Sequence, residues 1–242
     1  MKTASLFDFP TMRVFRDQLF QQITSADVRT FDHQFVRCAF MHCKLLGGED
    51  PAKRALIQRA LLHDCRISDC GIQRAVIEDT IVDNLQMEGR DPLMIWGCVF
   101  KHLVLRGQFG SININKPYTS SARREEAIER GFAEADERYY NNVDWAIDIR
   151  DAQVLGLRIR GVPTHLIRRD SLTQAVVKRQ QIVEQKWASL DLGNSWWKSI
   201  LSAESRKPGG DVVLVAPKLD ESFEVQLEAI RRLRSAGIAN SD

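Results

Sequence analysis

The chain of 242 residues carries 34 basic and 32 acidic side chains, for a formal charge of +2, with 44% hydrophobic and 27% charged residues. That balance excludes disorder throughout, and it excludes a general attraction for nucleic acid or an anionic membrane surface. The five cysteines are expected to be reduced thiols in a cytoplasmic protein, because Met1–Pro10 has no apolar core of signal-peptide length and no later stretch has the length of a bilayer span.

The first predicted element is a helix: Pro10 and Thr11 precede Met12, Phe15, Leu19 and Ile23, which share one helical face, giving an N-terminal helical cap over residues 1–25. A different order begins at His33, where the triplets His33-Gln34-Phe35, Cys38-Ala39-Phe40 and Cys43-Lys44-Leu45 recur every five residues. Gly47–Lys53 reads as a loop. Beyond it Ile57, Leu62, Ile67, Ile72, Ile77, Val82 and Met87 keep the same spacing, and two residues before them stand Ala55, Ala60, Cys65, Cys70, Ala75, Thr80 and Leu85. The two residues after each centre, from Gln58-Arg59 to Glu88-Gly89, are polar or glycine.

A five-residue step rotates a helix by about 140° and scatters the centres round its surface. In an unbroken strand an odd step sends successive centres to opposite faces. A short extended segment followed by a bend meets both constraints: the centre and the residue two before it point inward, the polar pair makes the corner, and stacked coils pair at about 4.8 Å. The predicted fold is therefore a β-solenoid.

These residues resemble the motif of the pentapeptide-repeat proteins, which is a small residue, a polar one, a central Leu or Phe, and two more polar ones. The resemblance implies a mainly β fold, a right-handed quadrilateral β-helix with four pentapeptides per coil. It covers Ala55–Met87 best and departs from the family in favouring Ile at the centre. After a loop at Gly89–Pro92 the motif returns in Leu93-Met94-Ile95, Cys98-Val99-Phe100 and Leu103-Val104-Leu105. An excursion from Leu105 to Ile147 is expected to hold an inserted helix near 120–141, with Ile128, Phe132, Ala135 and Tyr139 at helical spacing. Ile147-Asp148-Ile149, Ala152-Gln153-Val154 and Leu157-Arg158-Ile159 suggest a final coil, so the repeat region spans 26–160.

Residues 161–242 are expected to form a small α/β cap over the open end of the coils. Asp170 or Ser171 would cap a helix carrying Leu172, Ala175, Val176, Ile182, Val183, Trp187 and Leu190 on its inner face. Asp211–Pro217 reads as a strand, and a last helix starts at Ser222, buries Phe223, Leu227, Ile230 and Leu233, and stops at Gly237.

Metal and cofactor sites are not expected. Cys38, Cys43, Cys65, Cys70 and Cys98 occupy the small inward position while His42, His63 and His102 occupy corners, so four ligands do not converge. Gly193-Asn194-Ser195 lacks the second glycine of a nucleophile elbow, and Lys207-Pro208-Gly209-Gly210-Asp211 is not followed by the Gly-Lys-Ser/Thr of a phosphate loop. Interface signals are clearer. The beat turns Trp96 outward, one of Tyr139 and Tyr140 cannot share its neighbour's inward direction, and Arg158, Arg160, Arg168 and Arg169 lie in a segment, 158–186, of local net charge +5.

These residues are the expected contacts to a protein partner. Direct nucleic-acid binding is not expected, since no aromatics interleave with the basic residues. The reading is a non-enzymatic recognition or regulatory protein whose rigid β-helix surface binds, and inhibits or neutralises, its partner. Two alternatives stand beside it. The family includes quinolone-resistance proteins whose acidic β-helix imitates DNA and binds a topoisomerase, although residues 55–105 carry a net charge of only −2. The other is an enzyme with a site between coils and C-terminal segment, built on His165, Arg168, Arg169 and Asp170.

Overall fold

The computed structural model describes residues 12–26, 28–89, 91–116, 122–207 and 209–240, the side chains of 122–126 excepted. The chain is mainly β, with long parallel sheets that curl on themselves, an arrangement compatible with a β-solenoid. Successive passes of the chain pair in parallel register. Arg13 pairs with His33 and Leu61 with Ile81, each 20 residues on. Gln34 pairs with Leu61, 27 residues on, and Ile81 with Val104, 23 on. Val104 pairs with Asp148, 44 residues on, and Ile147 with Ile167, again 20 on. The excess over 20 belongs to the two predicted loops and to the inserted helix, which leave the stack and return to the same register.

The five-residue beat has a direct backbone correlate. At twelve centres the residue two after is left-handed: Asp17, Gln22, Asp32, Arg37, His42, Arg59, Asp64, Asp69, Arg74, Asp79, Asn84 and His102 have φ between +46° and +57°. A left-handed non-glycine residue costs roughly 1–2 kcal/mol. The bend offsets that cost by turning the corner amide onto the next pass, where Asp17 donates to the Val36 carbonyl at 3.0 Å, Arg37 to His63 at 2.9 Å and Asp79 to Lys101 at 2.9 Å. Gly107 takes the same corner at φ +79°, where a Cβ would stand 2.0 Å from the Asn84 side-chain oxygen.

The interior follows the predicted alternation. Centres Phe35, Ile67, Ile77, Ile95, Phe100 and Leu105 are buried, as are Cys38, Ala55, Ala60, Cys65, Ala75, Thr80 and Cys98 two residues before a centre. Equivalent aromatic centres stack, Phe15 on Phe35 at 5.1 Å and Phe20 on Phe40 at 5.0 Å between ring centroids. The inward thiols bridge passes: Cys43 donates to the Phe20 carbonyl at 3.4 Å, Cys65 to Phe35 at 3.3 Å and Cys70 to Phe40 at 3.3 Å.

Three expectations are corrected. The N-terminal helical cap expected over 1–25 lies outside the described residues up to Thr11, and from residue 12 on no helix forms, because Arg13–Arg16, Leu19–Gln21 and Thr24–Ala26 are strands paired to the following pass. Phe15 and Phe20 are centres, Met12 and Leu19 are exposed, and Thr11 lies outside the described residues. The excursion begins later than Leu105, since Leu103–Asn115 is a single bent strand in which Phe109 pairs with Leu85 and Ile114 with Ile95. The helix expected from Leu172 to Leu190 is broken into the strand Gln174–Val177, the short helix Arg179–Val183 and a turn of 3-10 helix at Lys186–Ser189, with Leu172 exposed. Gln174–Val177 is drawn into an antiparallel sheet between Val212–Val215 and Ala239–Asn240, so pairing overrides the helical pattern.

The inserted helix is Ala122–Tyr140, and the closing helix is Phe223–Ser235 with Gly237 left-handed at φ +68° just beyond it. A further helix, Trp197–Ser205, was not anticipated. Residues from 175 onward have a second core, which includes Ile182, Trp187, Trp197, Leu201, Leu214, Ile230 and Leu233.

Candidate functional site, a cleft beside the last coil

A cleft of about 1440 Å³ opens where the last pass, the inserted helix and the C-terminal segment meet. Its floor is residues 155–160 together with Ser111, Asn113 and Asn115. One rim is Glu129, Arg130, Ala133 and Asp136 of the inserted helix, and the other is Trp196, Ile200, Glu204 and the 209–213 stretch. Small-molecule pockets typically enclose about 300–1,000 Å³. This one has the size of a groove for a chain segment.

Strand alternation places the cationic groups. Ile159 points into the core, so Arg158 and Arg160 project outward from the same strand, and both guanidinium groups reach the carboxylate of Glu204, Arg158 at 2.8 Å. Glu204 is 8% exposed. Burial raises its pKa, but the bonds and charges of Arg160 and Arg158 more than reverse this, and the carboxyl sits below the ordinary glutamate value. Two arginines against one carboxylate leave a surplus positive charge on the floor, and Lys116 lies at its end. Trp96, which follows the inward Ile95, is half-buried and faces the cleft, and Trp196 contributes a ring that is 37% exposed.

The expected contacts divide. Trp96, Arg158 and Arg160 line the cleft. Tyr139 and Tyr140 do not: the Tyr139 hydroxyl donates to Glu78 at 2.9 Å and Tyr140 is 7% exposed, so both fasten the inserted helix to the coils instead of presenting it to a partner. Arg54, beside Asp136 and 4.8 Å above the Phe132 ring, completes that attachment. Arg168 lies on the other side of the stack with its guanidinium 4.1 Å over the Trp145 ring. Arg169 donates to the carbonyls of Thr164 at 2.5 Å and Ile167 at 2.7 Å and shapes a turn. The missed residues are Glu204, Lys116, Arg130 and Asp136, which come together only when separate elements dock. The adjacent pair Trp196-Trp197 carries a signal in the sequence, since two neighbours cannot share one inward direction: Trp197 is buried and Trp196 is 37% exposed.

The residues of the enzyme alternative do not converge. His165 is exposed at the cleft edge, but Asp170 is engaged by Thr173 at 2.6 Å and Lys218 at 3.2 Å, and Arg168 and Arg169 are occupied as above. Asp211, on the cleft rim, accepts from Thr164, Lys178 and the Arg179 amide. Burial pushes the thiols of Cys65 and Cys98 up to about 11 and about 12, away from a reactive thiolate. Among the described residues no group of His, Cys, Asp or Glu is arranged to hold a metal ion, and no helix is long and apolar enough to cross a membrane. No protein-family model matches the chain, and no curated protein matches it with significance.

Proposed function

We propose that the chain is a divergent pentapeptide-repeat-like protein, a right-handed quadrilateral β-helix capped by its C-terminal segment, and that it acts without catalysis as a recognition protein. Its partner is another protein, seated in the cleft beside the last coil and regulated or neutralised by that binding. The observation that carries this reading is the cleft itself. It combines three tryptophans, Trp96, Trp196 and Trp197, with the paired arginines Arg158 and Arg160 on a floor of β structure, the composition of an interface anchor, and among the described residues no nucleophile and base converge in it.

The topoisomerase-binding, DNA-mimicking version needs an acidic wall. Here the corner carboxylates are matched across neighbouring passes, Asp17 with Arg37 at 2.7 Å, Asp32 with Arg59 at 2.6 Å, Asp69 with His42 at 3.0 Å and Asp79 with His102 at 2.9 Å, which favours a neutral wall and a cleft-centred partner. Affinity capture with the full chain, read by mass spectrometry, tests the reading. A stoichiometric protein partner retained by the Arg168→Gln variant and lost with Trp96→Ala is the expected result. A small molecule co-purifying in the cleft, with no such partner, would move the assignment to an enzyme.

A further inference from the structure

The stack is not filled to its axis. Leu45, Ile57, Leu62, Ile72 and Val82 are inward centres, yet each is only partly buried. All five line a cavity of about 210 Å³ inside the coils, whose lining shares no residue with the cleft. The void arises where rings give way to smaller side chains: Phe35 is followed in register by Leu62 and Val82, and Phe40 by Ile67. The lining runs from Ile23 and Thr30 on the first pass to Ile112 and Ile114 on the fifth. On one wall the register is Ser25, Leu45, Ile72, Ile95 and Ile114, so successive passes about 4.8 Å apart give a length of roughly 19 Å. Beyond it the next pass supplies the fully buried Ile147, Ile149 and Val154.

Little in this wall attracts water. The Cys43 and Cys70 thiols donate to the carbonyls of Phe20 and Phe40, and the Thr80 hydroxyl donates to the Glu78 carbonyl at 2.8 Å. Lys44 contributes to the lining but is exposed on the outer side of its strand. Apolar cavities of about 150 Å³ stay dry and take up benzene or xenon, and this one is larger. Its volume is drawn out along the stack, a shape that suits an unbranched chain better than a ring system. One polar group is left over: Thr30, 6% exposed at the first-pass end, has a hydroxyl with no hydrogen-bond partner among the described residues. We infer that the cavity binds the alkyl chain of a neutral amphiphile of about eight to twelve carbons, with the terminal oxygen of the ligand at Thr30. A neutral head is favoured because an ionised carboxylate would be buried there without a counter-charge. The site goes beyond the protein-binding reading and stands independently of it.

The test titrates the full chain, labelled at its isoleucine methyl groups, with straight-chain primary alcohols from hexanol to tetradecanol and follows the methyl resonances. Ile57, Ile72 and Ile77 should shift, while Ile182 and Ile230 of the second core should not. Affinity should rise about fourfold for each added methylene and level off once the chain fills the cavity. Ile72→Phe, which occupies part of the void, should weaken decanol binding by about tenfold or more. Should that variant fail to fold, Ile72→Ala enlarges the void and should move the levelling-off to a longer alcohol. Thr30→Val should weaken every alcohol about fivefold, the loss of one hydrogen bond, and leave the gain per methylene unchanged. Unshifted methyls at Ile57, Ile72 and Ile77, an affinity that still climbs at tetradecanol, or full binding by Ile72→Phe would each overturn the site. Equal binding by Thr30→Val would overturn the placement of the oxygen.

Discussion

Replacing Asp136 by alanine tests how the inserted helix is held. Asp136 meets Arg54, whose side chain is 5% accessible and lies against the fully buried Phe132. Burial raises the pKa of Asp136 more than the Arg54 charge lowers it, so the intact pair is not itself a large source of stability. Removing one partner is a different matter, because the Arg54 guanidinium then stays buried without its counter-charge at a cost of roughly 3–5 kcal/mol. For a chain of this size that corresponds to a fall in Tm of about 6–20 °C. Urea denaturation followed by tryptophan fluorescence measures the loss. The paired change Arg54→Met with Asp136→Leu should recover most of it, since both charges leave together. A loss below about 1 kcal/mol in Asp136→Ala, or a double variant as unstable as the single one, would refute the argument.

Three further outcomes follow from the same structure. At the exposed left-handed corner Gln22, φ +54°, valine should destabilise by about 1–2 kcal/mol while glycine is tolerated, as thermal melts of both variants would show. Cys65 and Cys98, with pKa values of about 11 and about 12, should resist a thiol reagent at neutral pH in the native protein and react once urea is added, a contrast read by mass spectrometry. His102 bonds Asp144 at 2.7 Å and Asp79 at 2.9 Å. Burial lowers its pKa, but the two carboxylates more than compensate and the folded value lies above the ordinary one. The protonated form therefore contributes stability that is complete below the unfolded pKa and disappears as pH rises through the folded pKa. Melts of wild type and His102→Gln should accordingly converge toward alkaline pH.

The middle of the stack was legible because each inward position between Ala55 and Met87 is apolar or small and each corner polar, so period five had no competitor. The first pass hid its beat: the centres Ser25 and Thr30, in register with Leu45 and Ile57, are polar, and Phe15, Leu19 and Ile23 coincide with a helical stripe. At Gly107 and Gly110 the motif loses its side chains while the backbone keeps its course. In Gln174–Val177 the β-branched Val176 and Val177 signalled a strand, but the register with Val212–Val215 lies some forty residues away and periodicity does not report it. The candidate site shows the same limit. Alternation alone pointed Trp96, Arg158 and Arg160 outward, whereas Glu204, which draws the two arginines together, belongs to a helix whose docking no local pattern encodes.

The return of the chain to register at Asp148, after the 44-residue separation from Val104, has a consequence for how such a molecule tolerates change. Loop-closure entropy grows only with the logarithm of length, so departing from the stack for that distance instead of 20 residues costs about 0.7 kcal/mol. A stack of this kind is open to added segments at nearly every bend, provided the entry and exit strands keep their phase. New surfaces, such as the wall formed here by the inserted helix, are thus thermodynamically cheap to acquire, and the constraint on them falls on geometry at the two junctions far more than on length.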